Sequence, residues 1–331
     1  MRAYAVRAFG EAPAIHDLPV PVADGLFLIR VRCAGVNPID YKLLDHLTAA
    51  SKYPFVMGID FAGVVEAVGP EVTFFKPGDE VFYAGTILRP GTNSEFHLVD
   101  ERLAGHKPAS LSFAEAAALP LTSITAWELL FDRLRIPLGK PQQAGSLLVV
   151  GASGGVGSIL VQLARRLTGV TVIGSASRPE SQQWVLKAGA HHTVNHSNKL
   201  SEEVRKLGLQ HLEFIIGLTH TEQHFDEIVE LIAPQGAFAL IDDPALIDVR
   251  KFKLKSASLH WESMFTRSTF QTADSIEQHR ILEQISTLVD EGLIRTTLGK
   301  SAGPINAANL RQAHAAIESH TSIGKIVLEG F

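Results

Sequence analysis

The stretch VVGASGGVGSILVQLA, residues 149–164, decides the fold of this chain. An apolar strand leads into a turn of small residues, and a helix with one apolar face follows. Read from Ala152, the turn has the pattern A-x-G-x-x-G. Gly154 lets backbone N–H groups approach a pyrophosphate, and Gly157 lets the helix pack closely on the strand. The stretch therefore predicts a dinucleotide-binding turn inside a βαβ unit, and a tight turn without a ligand is the alternative.

The residues after this turn repeat the strand–helix pattern. Apolar strands are predicted at 170–175, 213–218 and 237–242, each separated from the next by a helical segment. Such alternation indicates a parallel sheet covered on both faces. We therefore expect an α/β fold with a doubly wound parallel sheet.

The first part of the chain, about 120 residues, is rich in strand signals instead. Its period changes at 112–131, where Ser112 and Glu115 fit a capping box and the helical run is interrupted near Pro120. A long helix is predicted at 275–291, and the chain ends in a strand.

Composition restricts the class of protein. The chain has 331 residues, enough for about two domains of roughly 150 residues each. Its net charge of −5 argues against a broad nucleic-acid surface. A single cysteine, Cys33, excludes an intrachain disulfide and a thiolate metal cluster. We expect a cytoplasmic protein, because no secretory signal and no membrane-spanning apolar run is visible.

The end of the second strand indicates which dinucleotide binds. An NAD enzyme usually carries an acidic residue there, but this chain reads Ser175-Ala176-Ser177-Arg178. A hydroxyl and a guanidinium favour a 2′-phosphate, so we predict NADP(H). If Arg178 is only a surface charge, NAD remains the alternative.

The predicted cofactor contacts lie in the turn and at the ends of the parallel strands. They are Ala152, Ser153, Gly154, Gly155, Val156, Gly157, Ser175, Ser177, Arg178, Leu218, Thr219, His220, Ile241 and Asp242. His191, His192, His196, His220 and His224 are clustered in sequence, but HTEQH is not a zinc-protease motif. We interpret the histidines as surface or capping residues.

Five segments carry a family resemblance. AGVNPIDYK, MGIDFAGVVEAVG, FKPGDEV, EAAALPLTSITAW and GASGGVGS occur in the order and spacing of the medium-chain dehydrogenase/reductase superfamily. The chain resembles its quinone oxidoreductase (zeta-crystallin-like) branch, and bacterial proteins labelled zinc-type alcohol dehydrogenase-like. The resemblance implies a GroES-like catalytic domain, residues 1–122 and 265–331, and a Rossmann NADP-binding domain, residues 123–264. It also implies a homodimer and a cleft between the domains.

The resemblance also allows the zinc site to be checked by position. Zinc members of the superfamily place cysteine, histidine or carboxylate ligands where this chain has Asn37, Ile59 and Leu121. Isoleucine and leucine cannot bind zinc, and one amide is not a site. We therefore predict a metal-free protein.

The resemblance places Asn37, Asp40 and Lys42 at the substrate end of the cleft as candidate catalytic residues. Asn37 or Lys42 could donate a hydrogen bond to the substrate oxygen. The alternatives are a turn cap for Asn37, an ion pair for Asp40 and a solvated side chain for Lys42. Related reductases often have tyrosine at the position of Lys42. Tyr41 is adjacent, but neighbours in a predicted extended segment point to opposite sides.

Other positions complete the predicted site. Thr125 matches a family threonine beside the nicotinamide. Tyr53, Trp261 and Phe265 are candidate pocket residues, although the last two are equally suited to dimer packing. We predict an NADPH-dependent reductase of quinones or α,β-unsaturated carbonyls, a small-molecule enzyme without nucleic-acid or membrane partners. The alternatives are an alcohol/aldehyde oxidoreductase and a non-catalytic NADPH-binding protein of the zeta-crystallin type, structural or RNA-binding.

Overall fold

The computed structural model describes residues 1–141 and 144–331. The chain divides into two compact units. The β-rich unit comprises Met1–Ile124 and Phe265–Phe331, and the parallel-sheet unit comprises Thr125–Met264. Within the described ranges, no helix is long and apolar enough to cross a membrane.

The regular elements of the described residues are numbered in chain order. The strands are β1 (Arg2–Val6), β2 (Ala14–Asp17), β3 (Phe27–Gly35), β4 (Phe55–Val56), β5 (Asp60–Val68), β6 (Glu80–Ala84), β7 (Phe96–Val99), β8 (Ala104–His106), β9 (Ser146–Val150), β10 (Thr171–Ser175), β11 (His192–Val194), β12 (Leu212–Gly217), β13 (Ile232–Leu240), β14 (Ser258–Trp261), β15 (Leu298–Ser301) and β16 (Lys325–Glu329). The α-helices are α1 (Pro38–Asp45), α2 (Phe113–Ala117), α3 (Pro120–Trp127), α4 (Gly155–Leu167), α5 (Pro179–Ala188), α6 (Leu200–Arg205), α7 (Thr221–Leu231), α8 (Thr266–Phe270), α9 (Glu277–Asp290) and α10 (Ala307–Glu318).

The parallel-sheet unit has the predicted doubly wound architecture. Its sheet has the order β11-β10-β9-β12-β13-β14, and every neighbouring pair is parallel. All residues of β9 are buried, as its apolar sequence requires. The chain runs from β9 outward to β11 and then returns to the other side of β9 with β12. Ligands of such sheets bind outside the carboxyl ends of the strands at this reversal.

The β-rich unit contains a sheet of order β15-β16-β3-β5-β6-β8, with β7 also paired to β3, and a smaller sheet of order β2-β1-β4. Phe27, Phe61, Phe82 and Tyr83 are fully buried in it. The predicted combination of a β-rich domain and a parallel-sheet domain is therefore confirmed.

Strand pairing brings three distant segments to one end of this larger sheet. β16 pairs with β3, so that Val327 lies opposite Gly35. On the other side of β3, the same Gly35 lies opposite Asp60, the first residue of β5. Lys325, which begins β16, is thereby placed near the end of β3 and the start of β5.

The predicted helix boundaries near residue 120 are confirmed. Ser112 and Glu115 form the predicted capping box. α2 ends at Ala117 and α3 begins at Pro120, where the sequence predicted an interruption. A π-helical turn, Glu128–Arg133, continues from α3.

The prediction of an extended segment around Tyr41 is wrong. Residues Pro38–Asp45 form α1, because Asn37 caps its first turn, Pro38 opens it and Asp40 accepts a hydrogen bond from the Asn37 N–H. These are standard helix-start residues. Asp40 and Lys42 lie two positions apart on this helix and therefore project to different sides.

We predict that Gly157→Ala destabilises the protein more than Gly154→Ala does. A Cβ at Gly157 would lie 2.6 Å from backbone atoms of Ala152, whereas at Gly154 the nearest atom, Gly151 O, would be 3.6 Å away. Overpacking of this kind costs about 1–3 kcal/mol. The Gly154 variant should lose less, about 1 kcal/mol, because alanine is a poorer N-cap than glycine but meets no close contact there. Denaturant unfolding of both variants measures this, and equal losses would contradict the assigned packing.

Candidate active site

The small-residue turn lies at the carboxyl end of β9. Gly151 has φ +83°, a left-handed conformation that favours glycine, and its N–H donates to Ser175 Oγ. α4 begins at Gly155, with Gly154 as its N-cap. The N–H groups of the first helical turn have no partner within the helix, as at any helix start. The turn therefore presents donors and a helix dipole at the carboxyl edge of the sheet.

The two glycines of the turn differ in how closely they are packed. A Cβ at Gly154 would meet only Gly151 O within 4 Å, so this glycine borders open space. Gly157, in contrast, contacts the backbone of Ala152, which is buried. The absence of a side chain at Gly154 thus leaves a cradle beside the donors, whereas the glycine at 157 is explained by packing alone. Ser153, Gly155 and Val156 complete the turn and are partly exposed.

The predicted contacts at the end of β10 separate into an inner and an outer group. Ser175 is fully buried, and its Oγ accepts from Gly151 N–H and bonds to His196 Nδ1 at 2.9 Å. Ser175 therefore connects the turn to the segment after β11. Ser177 and Arg178 are partly exposed, and Arg178 lies 3.4 Å from Glu180. They are the outer group, at the partly exposed end of this segment.

The histidines differ in their surroundings. His191, His192 and His220 are exposed, as predicted, but His196 and His224 are half-buried, with ring centroids 6.2 Å apart. Burial lowers the pKa of both half-buried imidazoles, and for His196 the nearby His224 and His220 lower it further. His196 is a neighbour of the turn that was not predicted from the sequence. Its place just after the third predicted strand was the available signal.

The predicted contacts that follow β12 and β13 mainly make hydrogen bonds that hold the fold. Asp242 accepts from the Thr221 N–H at 2.8 Å and from Thr221 Oγ1 at 2.6 Å, so it fixes the start of α7. Thr219 Oγ1 bonds to His220 Nδ1 at 2.7 Å. Leu218 and Ile241 are partly exposed at the same edge, and Thr125 is buried at the start of the unit.

The β-rich unit contains a buried polar cluster around Asp60. Lys325 Nζ donates to Asp60 Oδ2 at 2.9 Å, to Asn37 Oδ1 at 2.5 Å and to Val36 O at 2.9 Å. Asn37 Nδ2 donates to Asp60 Oδ2 at 2.9 Å, and the Leu121 N–H donates to Asp60 Oδ1 at 2.8 Å. Asp60 and Lys325 are not among the site residues predicted from the sequence. The available signals were a lysine at the start of one apolar strand and an aspartate at the start of another.

Asp40 adjoins this cluster. Its Oδ2 accepts from the Asn37 N–H, while its Oδ1 is buried without a hydrogen-bond partner in the described part of the chain. A small cavity beside it is lined by residues such as Met57, Ile59 and Thr86. Burial raises the pKa of the Asp40 carboxyl to about 7, against the lowering effects of the Asn37 N–H and Lys325. Asn37 and Asp40 are thus together, whereas Lys42 is on a different side of α1.

The candidate pocket residues belong to different units. Tyr53 and Phe265 lie in the β-rich unit, and Trp261 lies in the parallel-sheet unit. Tyr53 is partly exposed and donates its hydroxyl to Thr48 O at 2.9 Å. Trp261 is 54% exposed at the end of β14, and Phe265 is partly exposed.

Comparison with known proteins identifies the family. Residues 23–126 match the alcohol dehydrogenase GroES-like domain family, and residues 155–277 match the zinc-binding dehydrogenase family. A zinc-type alcohol dehydrogenase-like protein of Staphylococcus aureus (strain COL) is 38% identical over 315 residues, which cover 94% of this chain and 92% of the relative. The chain belongs to the medium-chain dehydrogenase/reductase superfamily. It is accordingly an oxidoreductase.

Two further relatives of this medium-chain dehydrogenase/reductase are informative. A quinone oxidoreductase of Lama guanicoe is 30% identical over 338 residues, covering 99% of this chain and 97% of the relative. The crystal structure of a protein from Rhizobium etli CFN 42, described as a candidate zinc-dependent alcohol dehydrogenase, is 53% identical, with a TM-score of 0.95. That comparison covers 100% of this chain and 98% of the other.

The residues present do not fit the zinc ion that one matching family name implies. In the described ranges, no group of three or more His, Cys, Asp or Glu side chains is placed to hold a metal. Asn37 Oδ1 and both oxygens of Asp60 already accept hydrogen bonds, and an ammonium group lies between them. Ile59 and Leu121 offer no ligand atoms.

We predict that Asp40→Asn gains stability relative to wild type as the pH rises. The folded chain keeps a proton on Asp40 up to about pH 7, whereas the unfolded chain loses it near pH 4. The free energy of unfolding of wild type therefore falls as the pH rises between these two values. The free energy of unfolding falls by at most about 4 kcal/mol over this range, because the pKa of Asp40 differs by roughly three units between the two states. Asparagine keeps an acceptor for the Asn37 N–H. Urea unfolding from about pH 4.5 to about pH 8 measures the difference, with exposed Asp45→Asn as control. A wild-type/variant difference independent of pH would disprove the buried, protonated state.

Proposed function

We propose that this chain is an NADPH-dependent reductase that transfers hydride to quinones or α,β-unsaturated carbonyls without a metal. The observation that carries the proposal is the closed Lys325–Asp60–Asn37 cluster, in which an ammonium group is bonded to the oxygens that a metal would need. The cradle at Gly154 supports a bound dinucleotide. The relative named quinone oxidoreductase supports this class of acceptor.

The reaction needs one hydride and one proton. Bound NADPH would supply the hydride, which carries both electrons to the acceptor, and the anion that results would take its proton from solvent water. The first-turn N–H groups of α4 would hold the diphosphate. Asn37 would donate an amide N–H to the acceptor oxygen, and such donors act where charge develops. Quinones and enones are electrophilic enough for a hydrogen-bond donor to suffice.

The choice of NADPH rests on the outer end of β10. No carboxylate occupies the segment 175–178, where one would repel a 2′-phosphate. Ser177 and Arg178 are partly exposed there. A homodimer is also part of the proposal. β14 is an edge strand of its sheet in the described residues, and the exposed Trp261 lies on it.

The proposal is tested by metal analysis together with a panel of acceptors. We expect well under one zinc per chain, NADPH oxidation with small quinones or enones, and no loss of rate with a chelator. Gly154→Val is the control: it should fold, yet gain no thermal stability from NADPH, because its side chain fills the cradle.

Two outcomes would contradict the proposal, and each would support a different function. Stoichiometric zinc with chelator-sensitive alcohol oxidation would support an alcohol dehydrogenase, as the names of several relatives suggest. Tight NADPH binding by wild type without reduction of any acceptor would support a non-catalytic binding protein.

We predict that Arg178→Ala weakens NADPH binding by about 1–3 kcal/mol, the range for a charge-assisted contact. NADH binding should be unchanged, because NADH lacks the 2′-phosphate. Arg166→Ala, an exposed arginine on α4, is the matched control. Calorimetric titration with both cofactors measures the effect. An equal loss for both cofactors would mean that Arg178 acts on the fold.

A further inference from the structure

Lys325 is a buried lysine with a complete set of oxygen partners. Its side chain is 4% exposed. An ammonium group has three N–H donors, and Lys325 uses them on Val36 O, Asn37 Oδ1 and Asp60 Oδ2. A buried charge is tolerated only with such partners. The ammonium group is therefore held in one place, at the end of β3.

The two partners of the Asn37 amide allow it a single orientation. Lys325 can only donate, so the atom facing it must be Oδ1. Asp60 as a carboxylate can only accept, so the atom facing it must be Nδ2. Turning the amide over would place like groups against each other at both contacts. One N–H of Nδ2 is used on Asp60, which leaves the second as a donor of defined direction.

The same arrangement compensates the negative charge of the Asp60 carboxylate. This carboxylate is fully buried and accepts from Lys325, from Asn37 and from the Leu121 N–H. Three oxygens from two segments, 36–37 and Asp60, thus converge on one positive charge, as ligands converge on a metal ion. The charge belongs to the chain itself and is supplied by its last strand.

We propose that Lys325 is a positioning residue, whose ammonium group takes the structural place of a metal ion and fixes the Asn37 amide with one N–H available to the acceptor oxygen. This rests on the proposed function, since it assigns how Asn37 is held for that reaction. Lys325 itself does not contact the substrate, because its three donors are used within the cluster.

The test compares Lys325→Met with Lys107→Met. Lys107 is also a buried lysine of the β-rich unit, and its Nζ donates to Pro108 O and Leu111 O. Both variants remove a buried ammonium and should lower stability. Lys325→Met should lower kcat for quinone or enone reduction at least tenfold, with the KM for NADPH within twofold. Lys107→Met should leave kcat within twofold.

A double variant separates positioning from folding. Lys325→Met leaves the Asp60 carboxylate unpaired, so Lys325→Met with Asp60→Asn should recover stability. Because the amide is still not held by a cation, kcat should remain low. If kcat recovers with stability, Lys325 has only a structural role and the proposal fails.

Selective ¹⁵N-asparagine labelling gives a readout independent of turnover. Asn37→Asp assigns the Asn37 side-chain signals. In wild type, one amide proton should be protected from exchange, and Lys325→Met, but not Lys107→Met, should remove this protection. Unchanged protection would overturn the proposal even if no acceptor were reduced. Wild-type inactivity with the protection pattern intact would count against the proposed function alone.

Discussion

A carboxylate without access to water needs a cation beside it, and Asp60 is such a carboxylate. Its partner Lys325 comes from the last strand and reaches it because β16 lies beside β3. Removing one member of a buried ion pair costs about 3–5 kcal/mol. Pairing of β16 with β3 therefore also places Lys325 beside Asp60 and Asn37 in the β-rich unit.

The parallel-sheet unit depends on close backbone packing around Ala152. A Cβ at Gly157 would lie 2.6 Å from the Ala152 backbone, and one at Gly174 would lie 2.9 Å from its side chain. These glycines are required by the fold whether or not a cofactor binds. Gly154 is different, because its surroundings would admit a side chain. That open space is the structural argument for a ligand, and packing does not supply it.

Local patterns predicted most of the fold, and long-range contacts escaped prediction. The alternation of strands and helices predicted the parallel sheet, because the spacing of apolar residues within a short stretch of sequence distinguishes a strand from a helix. Helix α1 was missed although Pro38 and Asp40 signalled it, since the segment was interpreted as extended. The bond between Lys325 and Asn37 joins residues 288 positions apart, so only strand pairing reveals it. His196 was likewise interpreted from its neighbours in sequence, and its bond to Ser175 appears only in three dimensions.

The way the positive charge is held determines which chemistry suits the proposed function. A catalytic metal ion binds the substrate oxygen directly and stabilises its deprotonated form. The Lys325 ammonium uses its three donors inside the cluster, so its proposed effect on a substrate passes through the Asn37 amide. A neutral amide N–H stabilises a developing negative charge but does not take a proton from an alcohol. Under the proposed function, the cluster therefore suits acceptors that are already electrophilic, such as quinones and enones, better than the oxidation of alcohols.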